Sequence, residues 1–195
     1  MPDETLNIAI VILAAGASKR MGRPKQLLKW GSESLVSHAI SKALELGSPE
    51  VILVLGANHE AFESEINHFP ITILKNENWE EGLGKSIACA ANYVLKSKLK
   101  TSSLLITLAD QPLIDTDFLN GIIQKFSQNQ NQIVSTSYEK GKKGVPVLFD
   151  ACYLGELSNL SVDNGAKRLL KKHQSYINSL QFRHKNLDIR LIINS

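Results

Sequence analysis

Apolar residues in this chain fall into two alternating patterns. Short unbroken runs of β-branched and leucyl residues are separated by stretches in which apolar positions recur at helical spacing. The first pattern predicts strands covered on both faces, as in a parallel sheet, and the second predicts amphipathic helices. Strand runs are Asn7 to Leu13, Val51 to Leu55, Ile71 to Leu74 and Ser103 to Leu108, with Ile133 to Thr136 and Pro146 to Phe149 around a basic loop, Glu139 to Gly144. Leu35, Val36, Ala39, Ile40, Ala43 and Leu44 share a helix face, with Ser32 and Ser34 both at capping positions and Gly47 as the stop. A weak helix is expected over Asn58 to Asn67 and a longer one over Gly84 to Ser97. Others are expected over Thr116 to Ser127, behind Asp115, and over Ala166 to Lys172, behind Asp163. Strands alternating with helices imply right-handed crossovers, so the expected fold is a three-layer α/β/α sandwich on a mainly parallel mixed sheet.

The first strand runs directly into a glycine-punctuated cationic loop. Leu13 to Lys25 reads Leu-Ala-Ala-Gly-Ala-Ser-Lys-Arg-Met-Gly-Arg-Pro-Lys. Open α/β sheets place ligands where such loops leave the strand ends. Gly16 and Gly22 permit close backbone approach, so that main-chain N–H groups meet phosphate oxygens, and Arg20 and Lys25 add positive charge. The string is neither a dinucleotide fingerprint nor a Walker loop. Its plain alternative is a βα turn with solvated cations.

A second chemical centre is Asp110, which follows the apolar run Leu104-Leu105-Ile106-Thr107-Leu108 and stands just before Pro112, where a sheet strand must end. A carboxylate displayed at a strand tip beside a polyphosphate suits Mg²⁺, a hard cation that takes oxygen ligands. Asp115, not Asp110, is better placed to cap the next helix. Asn76 to Ser86 reads Asn-Glu-Asn-Trp-Glu-Glu-Gly-Leu-Gly-Lys-Ser. Gly82 and Gly84 there allow the backbone to approach a flat ring, and Ser86 offers a hydroxyl in a helix's first turn. Trp79 suits either stacking or packing, and packing is the more usual role of a lone Trp beside a loop.

At 195 residues and 43% hydrophobic content, the chain fits one well-filled domain spanning residues 1–195. With 22 basic and 19 acidic residues the net charge is +3 and the cations are dispersed along the sequence, which does not indicate nucleic acid. Neither a secretory leader nor a membrane-spanning run is evident, so no membrane partner and a cytoplasmic location are expected. Cys89 and Cys152 lack metal-ligand spacing and are expected as reduced core residues. The same absence of spaced partners leaves His38, His59, His68, His173 and His184 as structural or surface residues.

Taken whole, Leu13 to Lys25 resembles the signature Leu-Ala-x-Gly-x-Ser-x-Arg-Met-Gly-x-Pro-Lys of nucleotidyltransferases with a Rossmann-like fold. Within the MobA-like NTP transferase family it is most similar to the molybdenum cofactor cytidylyltransferase group. Ala15 gives the Leu-Ala-Ala-Gly form common among cytidylyl-transferring members, a form that many sugar-nucleotide enzymes share, whereas guanylyl-transferring relatives usually carry Leu-Ala-Gly-Gly. The resemblance implies transfer of CMP from CTP onto the phosphate of a molybdopterin-type acceptor, with release of pyrophosphate and Mg²⁺ as cofactor. It implies Lys25, Arg20 and Asp110 as catalytic residues. It also implies a nucleotide site of Leu13, Ala14, Ala15, Gly16, Ser18, Arg20 and Lys25 with Asn76, Gly82, Gly84 and Ser86, and a metal held by Asp110 and Asp188. Around Asp188 the likeness thins: Arg190 replaces an acid, and the Thr-Pro-Glu-Asp that ends the family segment is missing. Gly144 to Phe149 is similar to a segment on the acceptor side, and Val162 to Lys167 is similar to Gly-Asp-x-Gly-Ala-Arg, with Lys167 in place of Arg. Alternatives are a phosphosugar or polyol-phosphate nucleotidyltransferase, or a non-catalytic accessory protein that binds the cofactor for a molybdoenzyme.

Overall fold

The computed structural model describes residues 7–16, 24–56, 59–97, 100–161 and 165–182. Strand β1 (Ile8–Leu13) is buried at every position, as an unbroken apolar run requires. A hairpin of β2 (Lys29–Trp30) and β3 (Glu33–Ser34) follows, turning at Gly31, whose φ of 63° is the left-handed conformation a tight hairpin needs. Ser32 lies within that turn, so Ser34 becomes the cap of α1 (Leu35–Leu44), and its side chain accepts from the Ser37 N–H.

The chain continues through β4 (Glu50–Leu55) into a 3₁₀ turn that leads into the short α2 (Glu63–Ile66), so the expected weak helix is present but broken in two. Next come β5 (Thr72–Lys75), α3 (Leu83–Lys96), β6 (Ser103–Leu108) and α4 (Thr116–Gln124), the last capped by the Asp115 carboxylate on the Phe118 N–H. β7 (Ile133–Ser137) and β8 (Lys143–Asp150) form a hairpin. After it come α5 (Leu154–Ser158), α6 (Lys167–Lys172) and β9 (Ile177–Gln181).

The seven-stranded sheet runs β5-β4-β1-β6-β8-β7-β9. All pairs are parallel except those that β8 makes with β6 and β7. This is the expected mainly parallel mixed sheet. Alternation along β1 sends Ile8, Ile10 and Ile12 to one face, with Leu53, Phe62 and Leu105 under α1, α2 and α4. Ala9, Val11 and Leu13 face the opposite layer, with Ile52, Leu104, Ile106 and Phe149 under α3, α5 and α6.

Three local features are not visible in the sequence pattern, and one expectation is overturned. β9 was not legible because, as an edge strand, it is only half-buried and three of its five residues are polar. Helix α5 was missed for its brevity. Pro146 is not on an edge: β8 is interior, and the proline sits beside the register shift between Ser135 and Thr136, where the ladder is already interrupted. Finally, Cys152 is exposed and not a core residue, while Cys89 is half-buried; both are free thiols. Among the described residues, no helix is long and apolar enough to cross a membrane.

Candidate functional site

The chain leaves β1 toward β4 on one side and returns beside it on the other as β6, so the carboxyl ends of β1 and β6 flank a topological switch point. Hydrogen bonds past the strand ends hold this crevice. Ala14 N–H donates to Val54 O at 2.9 Å, and Ala109 N–H donates to Leu13 O at 3.1 Å. The second bond fixes Asp110, one residue on, beside the start of the glycine loop.

Lys25 opens a 3₁₀ turn, Lys25–Leu27, behind Pro24, and its ammonium forms an ion pair with the Asp110 carboxylate. A cation and an acid far apart in the sequence therefore meet at one cavity of about 400 Å³. Its wall includes Leu13, Ala15, Gly16, Lys25, Gly82, Ser86 and Asp110, all expected from the sequence. Three other expected contact residues are not on that wall. Ala14 is buried with its N–H committed to β4, and Gly84 is buried in the first turn of α3. Asn76 lies behind Ser86: its amide donates to Ser86 Oγ at 3.0 Å, and its carbonyl oxygen accepts from the Asn78 N–H at 3.1 Å. It positions the hydroxyl from the interior. Ser18, Arg20 and Asp188 lie outside the described residues.

α3 begins at this cavity. Gly82, at φ 99°, provides the turn into the helix, which starts without a side-chain cap, and Gly82, Leu83 and Ser86 at this end line the cavity.

Two residues at this smaller cavity escaped the sequence reading. Gln26 is buried beside β1's exit, its amide donating to Gly16 O at 3.4 Å while its own Oε1 finds no partner among the described residues. Its signal was only its adjacency to Lys25. At Gly56 a Cβ would lie 2.6 Å from Ala15 O and 2.6 Å from Trp79 Cβ, so glycine lets β1's exit, the end of β4 and the indole close together. Trp79 is half-buried against that glycine while also lining the cavity, which combines its packing role with access to a ligand.

Asp110 also borders a larger cavity of about 840 Å³, with Pro112, Leu113, Ile114, Tyr138 and Phe182 on its walls and Lys140 and Lys142 beside Glu139. Gln111 donates to the Tyr138 hydroxyl at 3.0 Å and to Val145 O at 3.4 Å, and Tyr138 in turn donates to Val145 O. The loop after β6 is thereby tied to β8. Burial pushes the Tyr138 hydroxyl pKa above its ordinary value, so it remains a neutral donor near neutral pH. Phe182 meets the Tyr138 ring edge-on, with centroids 5.9 Å apart.

As for a metal, no group of three His, Cys, Asp or Glu side chains is arranged to hold one among the described residues. Among the described residues Asp110 is the one carboxylate that borders both cavities. That donor set fits Mg²⁺, which is commonly held by one or two carboxylates together with substrate phosphates rather than by a full protein cage.

The family model of the MobA-like NTP transferase domain matches residues 10–176. A relative from Paenarthrobacter nicotinovorans named nicotine blue oxidoreductase is 33% identical over 83% of this chain and 80% of its own length. The molybdenum cofactor cytidylyltransferase of Escherichia coli K12 is 30% identical over 84% of this chain and 81% of its own. Among solved structures, Rv0371c of Mycobacterium tuberculosis H37Rv superposes with a TM-score of 0.81 at 25% identity, covering 97% of this chain and 98% of that one. A structure of the same mycobacterial protein in complex with manganese gives a TM-score of 0.77 at 23% identity over the same shares.

Proposed function

This chain belongs to the MobA-like NTP transferase domain family, a nucleotidyltransferase family, and we propose that it moves CMP from CTP onto the phosphate of a molybdopterin-type acceptor, releasing pyrophosphate. The observation that carries this reading is the convergence of Lys25 and Asp110 on one cavity at the β1–β6 switch point. The similarity to the Escherichia coli cytidylyltransferase and the Leu-Ala-Ala-Gly form of the loop support CMP as the transferred group.

In the proposed reaction an acceptor phosphate oxygen attacks the α-phosphorus of the triphosphate, in line with departing pyrophosphate. An acceptor phosphate is ionised near neutral pH, so no strong general base is required. Catalysis is then positioning and charge stabilisation. Lys25 and Arg20, with the N–H groups around Gly16, draw off the charge that builds on the leaving group. Leu13, Ala15, Gly82 and Ser86 enclose the nucleotide, with Asn76 orienting the Ser86 hydroxyl. Asp110, with Asp188 as the candidate second ligand, would hold a divalent cation, which would supply neutralisation of phosphate oxygens. The larger cavity accepts the acceptor: Tyr138 and Phe182 suit a flat conjugated ring, and Lys140 and Lys142 suit its anionic tail.

The test is pyrophosphate release measured with each of the four NTPs, with and without molybdopterin. Release with CTP that depends on molybdopterin is expected. Preference for another NTP refutes the CMP assignment, and release stimulated only by a phosphosugar or polyol phosphate moves the acceptor to that class. Binding without release leaves an accessory protein. A second reading follows from the relative named nicotine blue oxidoreductase: the same cavities would serve reduction of a conjugated dye. Oxidation of a reduced nicotinamide or flavin cofactor that the purified protein catalyses only when the dye is present as electron acceptor, with no pyrophosphate released from any NTP, would favour it.

A further inference from the structure

Lysines that look dispersed along the sequence are gathered by the fold into one groove. Lys143 at the start of β8 faces Lys167 and Lys171 of α6 across an opening of about 310 Å³, with Leu170 and Ile177 also on its wall and Gln174 at one end. No carboxylate lines it among the described residues. None of the three lysines forms an ion pair with a described carboxylate. All three are exposed. Tyr176, 49% exposed, stands in the turn between Gln174 and Ile177.

We propose that this groove is the docking surface for an acidic segment of a partner protein. Exposed lysines are strongly hydrated point charges on mobile stems, which suits steering and a loose carboxylate-rich contact. A fixed phosphate site is usually built instead from Arg forks and main-chain N–H groups. The apolar wall and the neighbouring tyrosine give the mixture that protein interfaces favour. The turn over residues 139–141, where Lys140 and Gly141 take φ values of 59° and 69°, separates this groove from the larger cavity. Gly141 lines the groove, whereas Lys140 and Lys142 line the cavity. A partner seated in the groove therefore lies against the turn whose other residues wall the larger cavity. The docking itself does not depend on which molecule fills that cavity.

The test uses a fluorescein-labelled oligoglutamate peptide and fluorescence anisotropy on the full chain. Lys143→Glu/Lys171→Glu is compared with Lys96→Glu/Lys125→Glu, which makes the same change in net charge at exposed lysines elsewhere. Binding by the parent that weakens with salt is expected, with about a tenfold or greater loss in the groove variant and less than about twofold in the control. Both variants should melt within about 2 °C of the parent, as surface substitutions do. Equal losses in the two variants would reduce the effect to global charge and overturn the proposal. Displacement of the peptide by stoichiometric inorganic pyrophosphate would make the groove a small-anion site, and tighter binding of a labelled single-stranded RNA would make it a nucleic-acid site. Either result overturns the proposal.

Discussion

Replacing Lys25 by Met should strengthen divalent-metal binding to the nucleotide-free protein while weakening catalysis. In the structure the Lys25 ammonium occupies the Asp110 carboxylate, the group proposed to take the metal, so a cation arriving before the nucleotide must displace it. The lysine side chain is 43% exposed and the aspartate 26%, so the pair is screened and worth only the 0.2–1 kcal/mol typical of surface ion pairs, about a 1.4- to 5-fold effect on affinity. Mn²⁺ binding, followed by the electron paramagnetic resonance of the free ion, should therefore tighten by about 1.4- to 5-fold in Lys25→Met. Lys25→Arg, which keeps the charge, should stay near the parent. Turnover should fall in the opposite direction by about 10²–10³-fold, the usual loss on removing one donor from a developing oxyanion. Unchanged or weaker Mn²⁺ binding in Lys25→Met would show that the ammonium does not compete for the metal's carboxylate. Unchanged turnover would remove Lys25 from the phosphate site altogether.

Asp110→Ala should abolish divalent-dependent pyrophosphate release, and normal release with CTP and Mg²⁺ would place the metal elsewhere. Gly56→Ala sets a methyl 2.6 Å from a main-chain oxygen and the Trp79 side chain. It should lower the unfolding free energy by about 1–3 kcal/mol in urea titrations, and an unchanged midpoint would show that the indole simply moves away. Ser86→Ala leaves the buried Asn76 amide without its 3.0 Å partner. A stability loss of about 1–3 kcal/mol is expected, together with a raised KM for the nucleotide if Ser86 lies on its wall. A loss of stability with KM unchanged would confine Ser86 to the interior. The Lys172 hydrogen bond, aided by His173, holds the Glu156 carboxyl below its ordinary pKa. Its contribution is therefore present above the unfolded-state pKa of about 4.3 and is lost as pH falls through the lower folded value. The melting-temperature gap between the parent and Glu156→Gln should be constant near neutral pH and close in acid, and a gap independent of pH would remove the carboxylate from the account.

The sequence exposes what depends on local pattern and hides what depends on who becomes a neighbour. β1 was legible because a strand buried on both faces must be apolar throughout, and α1 and α4 because a helix that buries one side must repeat its apolar residues. β9 carries neither sign. It covers a sheet edge, buries alternate residues only partly, and takes its identity from the β7 hydrogen bonds it accepts and donates. The same division runs through the site. Lys25 and Asp110 stood out because each sits at the end of a recognisable element with charge on display, but only the strand order, which returns β6 to the side of β1, makes them partners.

Gly56 and Gln26 show the limit most plainly. A glycine just after a strand looks like any turn glycine, and a glutamine after a lysine looks like a solvated residue. Gly56 is required because Trp79, brought in by a 3₁₀ turn, lies on it from a distant part of the chain. Gln26 is buried next to β1's exit, where its amide holds the Gly16 carbonyl. Its Oε1, without a partner among the described residues, is a cost of about 1–3 kcal/mol that the fold tolerates next to the cavity. Residues that line a cavity can be read from their chemistry, whereas residues that shape it, such as Asn76 behind Ser86, Gly56 beneath Trp79 and Gln26 beneath Gly16, become visible only when three-dimensional packing gives each of them something to hold.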